Sequence, residues 1–389
     1  MSSPRTHEVD VIRLFALLGI CIVNVYAMGM VYFADVIYTF SDTVDTAADI
    51  LSTLFVEGKF ITLFSFVLGW GIAVQEVRFT AAGGNFRTYY FRRVVGFLIL
   101  GFLHAAFIFD GDVLVTYGLM SIVFWYLRPY VLSVSFRALV KQFFIKNYLF
   151  VVLLAAFGGV LTSVTGYEAL FPYGYDEEAL AGSFYLATQY RITEGIVGTL
   201  SGYFTYFIQY LFCFSCGYLA YYRGFFEPDS EVFNTLKNYA PRLLLIGWVF
   251  TVPYAIYLNT SIMSDALNII SFLLVYVTDI MIAAAYLYFM VVFARRVELP
   301  EILILAGRNS LSVYILQGVL ASLFFNGYGL NFIGKFGTVP LLIISVCIYS
   351  LAVLIVGCYA KAFGHGILEP VMRKISGSRT VTRAATQNA

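Results

Sequence analysis

Residues 92–128 read RRVVGFLILGFLHAAFIFDGDVLVTYGLMSIVFWYLR. Two apolar runs, each about long enough to cross a bilayer's hydrocarbon core, are joined by the acidic turn Asp110-Gly111-Asp112. Arginines close both far ends, Arg92 and Arg93 at the start and Arg128 at the finish. Lys and Arg concentrate on the cytoplasmic side of membrane proteins. The stretch therefore predicts a helical hairpin whose acidic tip points away from the cytosol. His104 lies inside the first run, eleven residues after Arg93. That spacing is about three turns, so the two share a helix face roughly 16 Å apart. An ionisable group at that depth is costly unless it faces protein or water, which makes His104 a candidate functional residue.

The rest of the composition fits the hairpin. Of 389 residues, 60% are hydrophobic and 12% charged, with a mean hydropathy of +0.83. Soluble domains carry about 25% charge, so an all-α, polytopic bundle in the plasma membrane is expected, with the lipid bilayer as its first partner. A net charge of +1 and a pI near 7.6 give no reason to expect nucleic acid. Cys21, Cys213, Cys216, Cys347 and Cys358 all fall in apolar runs. The Cys213–Cys216 pair has no second pair or nearby His, so lipid-phase packing is expected and no metal site. Phosphate-binding loops, nucleophile elbows and haem motifs are absent. No covalently bound cofactor is expected.

Basic and acidic loops alternate along the chain. Read from the N-terminus, spans are expected at Val11–Met30, Lys59–Gln75, the two arms of the hairpin, and 148–164. Further spans are expected at Ile196–Tyr221, Leu243–Leu258, Ala266–Phe293, Leu311–Phe325 and Val339–Phe363. This gives about ten transmembrane helices with both termini cytosolic. Residues 1–375 form one transmembrane domain, and 376–389 a basic tail expected to be disordered. Thr43–Val56 reads as a surface helix on the outer side. The loop 167–195 reads as the longest outer loop.

Other polar residues inside these runs need partners or a purpose. Asp10, Arg13 and Asn24 lie on one stripe of the first helix; they read as a cytosolic anchor with an interhelical hydrogen bond, or as part of a site. Asp112 follows His104 by eight residues, across the turn. It can cap the next helix, or fix which imidazole nitrogen carries the proton, the pairing that general-base catalysis uses. Lys59, at the outer end of its helix, marks an interface or lines a site. Asp279, mid-span, costs about 2.5–3.5 kcal/mol on insertion scales unless it faces a partner or cavity. Tyr314 and Gln317, three apart, line a polar cavity or bond a neighbouring helix. Glu369 and Arg373 have the spacing of a helical ion pair.

Five ordered blocks between residues 9 and 375 carry a resemblance. VDVIRLFALLGICIVN (9–24) resembles the first-helix signature of the membrane-bound acyltransferases. EGKFITLFSFVLGWGIA (57–73), RRVVGFLILGFLHAAFIFDGDVLVTYGLMSI (92–122), AGRNSLSVYILQGVL (306–320) and HGILEPVMRKI (365–375) resemble blocks of the YeiB-like family of bacterial polytopic membrane proteins. Leu14 stands where the first block usually has Gly, and Ile367 and Pro370 depart from the last. Asn24 stands where many membrane O-acyltransferases have His; the heparan-type N-acetyltransferases are similar to this chain there.

The resemblance implies acyl transfer from a cytosolic acyl-CoA-type co-substrate to an acceptor hydroxyl or amine on the outer side. Arg13, Arg87, Arg92 and Arg93 are expected to hold the donor's pyrophosphate, which needs cationic clamps. His104 is expected as general base or transient acyl acceptor, with Asp112 beside it. Asn24, Lys59, Asp279, Tyr314 and Gln317 are the candidate cavity residues. Export of a small amphipathic metabolite, using Asp279, Gln209 and Gln317, is the runner-up, and a non-catalytic membrane scaffold the third reading. A homodimer is compatible with all three.

Overall fold

A computed structural model describes residues 6–30, 43–147, 149, 153, 176–259 and 265–377. Among the described residues there is no β-strand. The helices are α1 (His7–Gly29), α2 (Thr43–Phe55), α3 (Lys59–Ala81), α4 (Phe86–Phe107), α5 (Leu114–Ser133) and α6 (Phe136–Gln142). After the undescribed stretch come α7 (Glu177–Ala181), α8 (Phe184–Tyr190), α9 (Ile196–Tyr222), α10 (Glu231–Asn259) and α11 (Asp265–Arg296). The chain closes with α12 (Glu301–Arg308), α13 (Ser310–Phe325), α14 (Thr338–Phe363) and α15 (Glu369–Ser376).

Six described helical stretches are long and apolar enough to cross a bilayer, seven if the bent pair α12–α13 counts as one. This is fewer than the ten read from hydropathy. The expected span at 148–164 lies almost wholly outside the described residues, and α5 and α9 are helical without meeting that length-and-hydropathy standard. Exposed Phe102, Leu245, Val249, Ile343 and Leu354 put apolar side chains on the outside of the bundle, where water would penalise them and lipid would not.

α1 is the central helix, with Val11, Ile12, Ala16, Leu17 and Val25 fully buried. It packs against α3, α11, α12, α13 and α14. α3 crosses α9 with the two backbones almost touching. A methyl group at Gly69 would stand 1.9 Å from the Phe214 carbonyl oxygen, and one at Gly217 1.8 Å from that of Phe66. Small residues allow this approach, and in lipid the van der Waals packing it gives is a main source of helix association.

Several boundaries differ from the sequence reading. α10 starts twelve residues before Leu243, so Lys237 and Arg242 lie on a helix and not in a loop. Its 29 residues span roughly 43 Å at 1.5 Å per residue, longer than a hydrocarbon core of about 30 Å, so its polar start can stand in water. Much of the expected outer loop is helical: α7, α8 and a π-turn at Arg191–Gly195 run directly into α9. The expected ninth span gains a preceding helix, α12, bent by 90° from α13. Asn309 makes the corner: its amide donates to the Leu305 carbonyl at 2.8 Å and its oxygen accepts the Gly366 N–H at 2.7 Å.

The mid-span carboxylate finds its counter-charge at a helix end. Lys59 Nζ is 2.9 Å from Asp279 Oδ1, with the two side chains 1% and 2% exposed. The ammonium also donates to the Thr53 carbonyl at 2.6 Å. Gly58, at φ 74°, leaves the room, since a methyl group there would lie 1.9 Å from Asp279 Oδ2. Breaking a buried pair strands one charge at about 3–5 kcal/mol, whereas replacing both members with apolar groups is often neutral. Asp279→Ala is therefore expected to lower stability by about 3–5 kcal/mol in detergent denaturation, and Lys59→Met/Asp279→Leu to lose far less. Equal losses in the two variants would contradict the pairing.

Candidate functional site

The acidic turn closes α4 and opens α5. Both the Ile108 and the Phe109 N–H donate to the His104 carbonyl at 2.9 Å, which ends α4 one turn after the imidazole. Asp112 then performs both roles considered for it. Its Oδ1 accepts the Val115 N–H at 2.9 Å, capping α5. Its Oδ2 lies 2.9 Å from His104 Nδ1 and accepts the Tyr314 hydroxyl at 3.2 Å. The Tyr314 oxygen in turn accepts the Val113 N–H at 3.3 Å. One carboxylate thus joins α4, α5 and α13.

The Asp112 carboxylate stands beside Nδ1, and a carboxylate only accepts, so a neutral ring that carried its proton on Nδ1 would leave its lone pair on Nε2. Both ring nitrogens are buried, and among the described residues neither meets full hydrogen-bond geometry, the 2.9 Å approach of Nδ1 to Oδ2 being an ion-pair contact. Nε2 faces Gly318, where a methyl group would stand 2.5 Å away. The adjoining Gln317 is 1% exposed, with both amide atoms lacking hydrogen-bond partners. Gly101 gives Asp112 its space, a methyl there falling 2.7 Å from Oδ1.

A cavity of about 510 Å³ leads toward this group from the basic face. Arg13, Arg78, Arg93, Arg308 and Arg373 line its mouth with Asp10 and Glu369. The carboxylates do not balance the guanidinium groups. Asp10 is shared between Arg13 at 3.3 Å and Arg308 at 3.0 Å. Glu369 accepts from the Ser312 N–H at 3.1 Å and its hydroxyl at 2.5 Å, anchoring α15 to α13. Arg93 lies over the Phe97 ring at 4.8 Å, and its Nε is buried without a hydrogen-bond partner. The deep end is lined by Ile20, Phe64, Phe97, Val113, Leu114 and Tyr314. His104 and Asp112 stand behind Tyr314 and do not line the cavity.

The expected residues therefore divide. Arg13, Arg93 and Tyr314 line the cavity, while Arg87 and Arg92 face a separate groove on the other side of α4. Lys59 and Asp279 pair with each other away from it, and Asn24 and Gln317 are buried without lining it. In the sequence Arg78 only marks the cytosol, Arg308 marks it and opens the helix of Tyr314 and Gln317, and Arg373 reads as half of an ion pair. Arg191 carries no sequence signal of its own. Arg191 is buried on the side of the acidic turn, its guanidinium 3.5 Å from the Phe107 carbonyl and 3.4 Å from the Tyr328 hydroxyl. Burial pushes the neighbouring Asp110 carboxyl above the usual range, and the Arg191 charge pulls it back. Among the described residues no His, Cys, Asp and Glu group could hold a metal ion.

The double duty of Asp112 separates two variants. Asp112→Asn keeps an oxygen for the Val115 N–H, whereas Asp112→Ala loses cap and counter-group together. Asp112→Ala is expected to be less stable than Asp112→Asn by about 1 kcal/mol, the usual worth of an N-cap. Denaturant titration measures it, and indistinguishable midpoints would contradict the capping geometry.

Comparison with known proteins gives relatives along the chain. Residues 220–379 match the family described as "Protein of unknown function (DUF418)". The chain is 26% identical over 403 aligned residues to "Uncharacterized protein YxaH" of Bacillus subtilis (strain 168), covering 96% of this chain and 94% of that protein. It is 29% identical over 124 residues to "Uncharacterized protein YeiB" of Escherichia coli (strain K12), covering 31% of this chain and 30% of that protein. A 39.9 kDa protein of Bacillus acidopullulyticus is 31% identical over 128 residues, covering 32% of this chain and 35% of that protein. No solved structure matches. The chain is thus similar to YxaH over most of its length and to YeiB over about a third of it.

Proposed function

We propose that the chain is a multi-pass acyltransferase of the plasma membrane. It uses an acyl-CoA-type donor from the cytosol and a hydroxyl or amine acceptor from the other side. The observation that carries this reading is the cavity running from an arginine-rich mouth to Tyr314, whose hydroxyl bonds Asp112 beside His104. A pyrophosphate suits Arg13, Arg78, Arg93, Arg308 and Arg373, since guanidinium groups hold phosphate in bidentate fashion. The apolar deep end suits the acyl arm. In transfer, the acceptor attacks the thioester carbon and its proton passes to His104 Nε2, while the departing sulfur takes a proton. His104 is 1% exposed and Gly318 packs directly on its Nε2, so in this reading α13 must shift at Gly318 to admit the acceptor. The reaction class itself rests on resemblance to acyltransferases, an associational argument.

The same reading has ten spans with both termini cytosolic. It counts α5, α9, the pair α12–α13 and residues 148–164 as crossings. Val44 and Ala82, both exposed, test it as single cysteines in otherwise cysteine-free protein. Val44→Cys is expected to react with an impermeant thiol reagent in intact cells and Ala82→Cys only after lysis. The reverse pattern would invert the orientation.

Donor binding is checked by calorimetry. Wild-type protein is expected to bind acyl-CoA, and Arg93→Ala to bind at least about tenfold more weakly, one charge-assisted contact being worth about 1.5–3 kcal/mol. Binding should weaken with salt, because a wet arginine mouth is screened. If wild-type protein binds no acyl-CoA, acyl transfer is excluded.

His104→Ala and His104→Gln are expected to fold and bind donor while losing turnover by about 100-fold or more, the usual contribution of a general base. A folded, active His104→Ala protein would remove His104 from the chemistry. Export of an amphipathic metabolite is the second reading. It is favoured by the buried Lys59–Asp279 pair and by Gln209, whose amide donates to Thr62 at 3.0 Å while its oxygen has no partner. Substrate flux in proteoliposomes without acyl-CoA would select it.

A further inference from the structure

The two arginines that the cavity does not use lie in a groove of their own. Arg87 and Arg92 line a depression of about 500 Å³ with Thr88, Phe91, Val95 and Ile375, and among the described residues no carboxylate borders it. Arg92 heads an outward stripe of α4 that continues through Val95, Ile99 and Phe102, spaced three and four residues apart and all exposed. Two cations thus stand at one end of an apolar track on the outside of the bundle. The groove's other wall is α15, a short amphipathic helix docked on α4 where Gly96 admits it. A methyl group at Gly96 would lie 2.6 Å from the Met372 sulfur and 3.3 Å from Ile375. α15 also exposes Val371, with Ile367 just before it, beside exposed Arg373 and Lys374. Apolar and basic groups on one short helix suit the headgroup boundary of a membrane.

We infer that this groove binds an anionic phospholipid of the adjacent leaflet, its phosphate held by Arg87 and Arg92 and an acyl chain laid along Val95, Ile99 and Phe102. The charge complementarity is specific. A zwitterionic lipid brings its own cation to a groove whose described residues offer no carboxylate. An anionic headgroup meets two guanidinium groups able to bond phosphate bidentately. Basic pockets between membrane helices on the cytoplasmic side bind anionic headgroups by this chemistry. α15 stands between this lipid and the main cavity, which Met372, Arg373 and Ser376 line from its other face. The inference requires only that α4 faces lipid and does not depend on acyl transfer.

The test titrates full-length protein in mild detergent with fluorescent phosphatidylglycerol and, separately, phosphatidylcholine, with inorganic phosphate as competitor. Wild-type protein is expected to prefer phosphatidylglycerol by about tenfold, equivalent to one charge-assisted contact. Arg87→Ala/Arg92→Ala should abolish the preference. Val95→Trp, which keeps both charges and fills the track, should do the same and carries the test should the double variant fail to fold. Inorganic phosphate should not displace the lipid. Equal binding of the two lipids, or a preference surviving both variants, would overturn the inference. Displacement by phosphate alone would overturn the lipid assignment and leave a site for free anions.

Discussion

The site depends on the placement of one carboxylate. Asp112 sits between two apolar runs, where an unpaired charge is expensive, and three neighbours resolve the cost. The Val115 N–H, the Tyr314 hydroxyl and the His104 imidazole converge on its two oxygens. Satisfying that group locks the α4–α5 hairpin to α13, a contact between residues about 200 positions apart. Gly101 and Gly318 follow as space-makers, one beside the carboxylate and one beside Nε2. The imidazole is thereby oriented with its Nε2 turned toward α13.

Charge is treated differently in the pairs that join helices and at the cavity mouth. Near the start of α3, Lys59 and Asp279 neutralise each other in the dry interior. The Arg128 guanidinium and Glu76 carboxylate pair with Tyr218 as a third partner. Such pairs consume charge and set helix positions. The cavity mouth does the reverse: five arginines line it with only two carboxylates, one of them shared between Arg13 and Arg308. The net positive charge around a half-apolar space suits an anion with an apolar arm, and this asymmetry separates a binding site from a structural network.

Much of this was legible in the sequence. Helix periodicity put Arg93 and His104 on one face, and the turn's brevity put Asp112 within reach. Adjacent helical residues diverge by about 100°, so Arg92 and Arg93 had to face different ways; treating them as one cluster overlooked a signal that was present. The partner of Asp279 could be required but not named, because Lys59 is 220 residues away and only packing joins them. The corner at Asn309 was hidden for the same reason, since the Gly366 N–H that completes it belongs to another part of the chain. The helical stretch before α9 reads as loop in the sequence because its acidic residues suggest water, although Arg191 inside it is buried.

The central claim is that the donor's acyl arm occupies the deep end of the arginine-mouthed cavity. Photo-crosslinking with an acyl-CoA carrying a diazirine near the thioester, read by peptide mass spectrometry, addresses it directly. Label on Val113, Leu114 or Tyr314, suppressed by unlabelled acyl-CoA and by Arg93→Ala, is the result expected. Label confined to the lipid-facing surfaces of α10 and α14, unaffected by either competitor or variant, would contradict it.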